Sequence, residues 1–141
     1  MKKVFRYLIN RTTLLITLIL ILNSCQRSDS EVFHDFFEFY PPSDVKEFHF
    51  IANEGFLDSS YWISFECNHT TAEKIISKLS LLRYNEATDG LGGGLNSKPT
   101  AWWDHEFIEN SVPYTKRVYS DHYYFWYDNY KGRVYFLLFD T

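Results

Sequence analysis

Apolar and polar positions change period several times along this chain, and each period predicts an element. From Arg133 to Phe139 both alternating sets are apolar: Val134, Phe136 and Leu138 on one side, Tyr135, Leu137 and Phe139 on the other. A strand apolar on both faces belongs in the middle of a sheet that is covered on both sides. His122 to Tyr127 is the strand before it. The two are joined by Asp128-Asn129-Tyr130-Lys131-Gly132, with Asp and Asn to start a turn and Gly for a left-handed position. Tyr114 to Tyr119 is a third strand. Val45 to Ala52 and Tyr61 to Cys67 form an antiparallel pair across the loop from Asn53 to Ser60. Alternation places Cys67 on the face of Tyr61, Ile63 and Phe65, as a buried small hydrophobe.

Two stretches have helical period. Ser28-x-x-Glu31 has capping-box spacing, and Val32, Phe33, Phe36, Phe37, Phe39 and Tyr40 fall on one side of the helix that follows. Glu31, His34, Asp35 and Glu38 fall on the other, and Pro41-Pro42 ends it. The acidic polar face predicts that this helix packs on the domain rather than lying in a membrane interface, where such helices are usually basic. Thr70-x-x-Glu73 is a second capping box, and Ala72, Ile75, Ile76 and Leu79 predict a helix over 71–82. Residues 85–101 are a glycine-rich loop. Asp104 can cap a short turn through Phe107 and Ile108, and Pro113 stops it. The second helix is expected to cover one face of the sheet. The aromatic helix, or the segment 85–108, covers the other. The fold class is α+β: an antiparallel sheet of four to five strands with one or two helices packed on it, preceded by a cleaved signal helix.

The N-terminus follows a different logic. Lys2, Lys3, Arg6 and Arg11 precede an apolar run, residues 12–22, that is too short to cross a bilayer. Leu22-Asn23-Ser24-Cys25 then resembles the lipobox of bacterial lipoproteins. The resemblance covers residues 1–25 and implies cleavage after Ser24, lipidation of the Cys25 thiol and acylation of the new amino terminus. It divides the chain into a signal peptide (1–24), a lipidated Cys with a short tether (25–30) and one α+β domain (31–141). It also implies a lipid anchor in the bacterial cell envelope. Gln26, where inner-membrane retention uses Asp, leans towards the outer membrane. The domain itself is similar to other small envelope lipoproteins of undefined role.

Charge then narrows the partners. Losing residues 1–24 removes four bases and no acids, so the net charge goes from −4 to −8. That disfavours nucleic acid and electrostatic docking on anionic lipid. With Cys25 lipidated, Cys67 is the only thiol and has no intrachain partner. The five histidines lack metal-site spacing, and Gly90-Leu91-Gly92-Gly93-Gly94 fits neither a P-loop nor a dinucleotide fingerprint. No G-x-S-x-G is present. No cofactor, metal or catalytic residue is therefore expected. The 28 aromatic residues are the unusual bulk property. Where they are not core, Trp102, Trp103 and nearby Tyr114 are the candidate binding surface, because two consecutive tryptophans are hard to bury from one strand. The expected function is a non-catalytic binding or interaction module for a protein or glycan. The alternatives are a periplasmic immunity or inhibitor lipoprotein against a toxin or lytic enzyme and, third, an envelope enzyme using a cleft with Asp121, His122 and Glu106.

Overall fold

A computed structural model describes residues 27–55, 58–84 and 101–140. The signal region with Cys25, and most of the glycine-rich loop, lie outside the described residues. The elements in chain order are α1 (Asp29–Phe37), β1 (Lys46–Glu54), β2 (Ser59–Glu66), α2 (His69–Lys78), β3 (Leu82–Arg83), α3 (His105–Glu109), β4 (Tyr114–Val118), β5 (Asp121–Asp128) and β6 (Arg133–Asp140). The strands form one six-stranded antiparallel sheet in the order β1-β2-β6-β5-β4-β3. The α+β class holds, with six strands where four to five were expected. The added strand is β3, whose two exposed residues are too few to show an alternation.

β6 lies between β2 and β5, and both of its faces are buried. Val134 and Phe136 join Ile63, Phe65, Cys67 and Phe125 under α1 and α2. Tyr135, Leu137 and Phe139 join Trp62, Tyr124 and Trp126 under Trp103 and Ile108. Both long helices therefore share one face, and the aromatic helix does not cover the other. That second cover comes from the segment around α3. Phe33, with no exposed surface, is the hub of the helical side. Its ring lies 4.7 Å from Phe37, 5.3 Å from Phe65, 5.4 Å from Phe39 and 6.1 Å from Phe48.

The helix ends follow local chemistry with one tertiary override. The Ser28/Glu31 capping box forms at α1. α1 stops at Glu38, which is left-handed, so Tyr40 leaves the apolar face and sits 66% exposed against His34. At α2 the cap is Asn68, not Thr70: the Asn68 side chain accepts from the Thr71 N–H at 2.8 Å. Asp44 accepts from the Asn68 N–H at 2.9 Å and from the Thr71 hydroxyl at 3.2 Å, which anchors the helix entry earlier than the capping-box pattern implies. α2 also ends sooner than the spacing predicts, because Ser80 turns left-handed.

Gly132 closes the β5–β6 turn at φ +60°, and its carbonyl accepts from the Cys67 N–H at 2.8 Å. Gly132→Ala should lower unfolding free energy by about 1–2 kcal/mol through left-handed strain. Phe33→Ala should cost about 3–5 kcal/mol through the cavity it leaves. Both should appear in urea melts as a lower midpoint at unchanged slope.

Candidate functional site

The sheet has a notch beside β5. β4 begins at Tyr114, opposite Phe125, while β5 continues along β6 through Trp126, Tyr127 and Asp128. Pro113 stands just before β4 and has no N–H for the ladder. The notch opens into a cleft of about 470 Å³, within the roughly 300–1,000 Å³ of small-molecule sites. Because β4 starts late, residues from both faces of the sheet reach it: Tyr114 and Tyr127 from the helical side, Trp126 and Phe107 from the α3 side. His69, Glu73 and Ile76 of α2 line it, as do Asn110, Ser111 and Val112. A shallower depression continues past Glu73, Ile76 and Tyr114 to Leu82.

Several contacts hold this lining in place. The Tyr127 hydroxyl donates to the Cys67 carbonyl at 3.2 Å, joining β5 to the entry of α2. Burial, ahead of the neighbouring Cys67 and Asp128, holds the Tyr127 phenol above its ordinary value, so it stays a donor. Asp128 Oδ1 accepts from the N–H groups of Tyr130 and Lys131, at 2.8 and 3.1 Å, and shapes the turn. Lys131 donates to Asp104, which caps α3 by accepting from the Phe107 N–H at 3.0 Å. The Tyr84 N–H donates to the Pro113 carbonyl at 2.9 Å, and the Arg83 guanidinium lies 5.7 Å from the Tyr114 ring centroid. On α2, His69 and Glu73 pair at 3.1 Å one turn apart.

The cleft thus presents carboxylates, amides, one guanidinium and aromatic faces. Among the described residues that line it, none is an activated nucleophile. Cys67 is free and buried, and burial, followed by the charge of Asp44, pushes its thiol up to about 12. Only the thiolate is reactive. His122 lies at the other end of β5, stacked flat on Phe139 at 4.8 Å, so Asp121, His122 and Glu106 do not meet in this cleft. Among the described residues, no group of three or more His, Cys, Asp or Glu could hold a metal ion, and no helix is long and apolar enough to cross a membrane.

The three residues expected to form one surface are divided: Trp102 and Trp103 pack edge to face at 5.9 Å, and Tyr114 lies on the other side of the sheet. Trp103 is buried, edge-on to Trp126 and Tyr135. Trp102 lies parallel to His49 of β1 at 5.3 Å. Tyr114 packs on the helical side of the sheet and reaches the cleft. The tryptophans belong to a turn rather than a strand, so consecutive indoles can both face inward. Glu73, Arg83, Asn110, Asp128 and Tyr130 were not legible as a site. The one local signal was Tyr130, an aromatic side chain in an otherwise polar turn.

Two tests follow from these environments. Iodoacetamide should leave Cys67 unmodified in the folded protein at mildly alkaline pH and alkylate it in guanidinium chloride, read by peptide mass spectrometry. The Asp104 carboxyl is held below its ordinary value by the hydrogen bond from Lys131 and then by that from the Phe107 N–H. Its contribution is complete above the unfolded value of about 3.9 and is lost as pH falls through the lower folded value. Asp104→Asn should therefore flatten the acid limb of a stability-versus-pH curve. Comparison of the chain with protein-family models, with curated proteins and with solved structures finds no match.

Proposed function

We propose that this chain is a lipid-anchored protein of the bacterial cell envelope, with outer-membrane placement favoured, and that its domain is a non-catalytic binding module. The cleft beside Trp126, Tyr127 and Asp128 carries the binding part of this reading. It is concave, spans both sides of the sheet edge, and gathers aromatic rings with a few polar groups, as ligand sites do. The lipobox resemblance at Leu22-Asn23-Ser24-Cys25 carries the anchoring part. Only Gln26 and Arg27 separate Cys25 from Ser28, the α1 cap, so the lipid would hold the domain close to the bilayer.

Each part has its own test. Cys25→Ser should abolish labelling by a clickable palmitate analogue and release the protein from the membrane fraction. Persistent labelling would remove the anchor from this reading. For the cleft, a photoreactive phenylalanine at Tyr130 should crosslink an envelope component in cells. The same group at Tyr119 should not. Tyr119 is comparably exposed, at the β4–β5 turn at the far end of β5. Equal crosslinking from both positions would mean that the cleft is not the binding surface.

A further inference from the structure

We propose that the cleft takes a neutral saccharide unit of an oligosaccharide; this names a ligand class for the site described above and rests on its being a binding site. The polar groups are of mixed kind. Glu73, paired with His69, and Asp128 only accept, Arg83 only donates, and Ser111, Asn110 and Asn129 do both. Asp128 Oδ1 serves the turn, while Oδ2 has, among the described residues, the 3.9 Å approach of Lys131. A ligand whose polar groups each donate and accept meets this mixture, and the sugar hydroxyl is such a group. The same ligand offers a C–H face to aromatic rings, and Tyr114, Tyr127 and Tyr130 supply them.

Other ligand classes fit less well. Two carboxylates in the lining against one guanidinium disfavour an anionic ligand. Arg83 already lies over Tyr114, so a cationic ligand would meet a like charge at the ring it needs. A peptide added as a strand would have only Trp126, Tyr127 and Asp128 of β5 beyond β4, a shorter edge than the roughly five to six residues of an ordinary strand. Exposure points to the same place. Of the six large apolar side chains most exposed among the described residues, Leu82, Val112 and Tyr130 line the cleft or its continuation.

The test uses the full chain in a zwitterionic detergent without a sugar headgroup. Maltotetraose, cellotetraose and tetra-N-acetylchitotetraose are offered in turn, with a neutral tetrapeptide as comparison, and saturation-transfer NMR is recorded. The expected result is transfer from protein aromatics to the ring C–H protons of at least one oligosaccharide. Tyr130→Ala should weaken that binding about tenfold, as loss of one aromatic anchor does. Glu73→Gln should weaken it while shifting the thermal midpoint by no more than the small contribution of an exposed pair. Transfer from none of the three sugars overturns the proposal, as does transfer undiminished in both variants. Transfer to the tetrapeptide alone, abolished by Tyr130→Ala, overturns the saccharide assignment while leaving the binding-module reading intact.

Discussion

A strand apolar on both faces is the constraint on which this fold depends. Val134, Phe136 and the alternating Tyr135 and Leu137 of β6 lose most of their contact with water only if the sheet is sandwiched. One helical layer is not enough. α1 and α2 seal one face around Phe33 and Ile75, and the segment holding Trp103 and Ile108 seals the other. Burying one large apolar side chain stabilises by about 1.5–3 kcal/mol relative to exposing it. Neither cover is therefore optional for a sheet this aromatic.

The cleft is a geometric consequence of that second cover. Its segment crosses from Trp102, over β1, to Tyr114, where the chain rejoins the sheet as β4. The return passes through Pro113, so β4 pairs only from Tyr114 onward and, among the described residues, the end of β5 has no strand partner on that side. The same passage brings Asn110 and Val112 to the cleft that α2 also lines. The Asp104–Lys131 contact then holds the α3 segment to the β5–β6 turn, and the Tyr127–Cys67 contact holds the entry of α2 to β5. The opposite sheet edge is shaped differently. β1 carries a register shift between Lys46 and His49, with Glu47 left-handed. Arg133 bonds both Glu47 and Glu66 there, and an irregular, charged edge of this kind resists further strand addition.

Elements whose signal is local were legible. Alternation identified β2, β5 and β6, and the Asp128–Gly132 turn and the α1 capping box depend on residues within a few positions of one another. The α2 cap was misplaced because Asp44, distant in sequence, binds Asn68 and Thr71. β3 was invisible because two residues have no period. Trp102 and Trp103 were assigned to a surface on the assumption of strand geometry, which the turn at that position removes. The cleft draws on α2, β3, α3, β4 and β5, and no window of sequence contains all of its residues.

By itself, the sequence determined which way side chains face within each element, because period two and period 3.6 are properties of the local backbone. It thereby determined that β6 is central and that Cys67 points into the core. Only the tertiary structure decided which segment covers which face, since an apolar stripe specifies that it must be buried but not against what. That decision placed both long helices on one side, set Trp103 into the other, and brought Glu73, Tyr114 and Asp128 to a common opening.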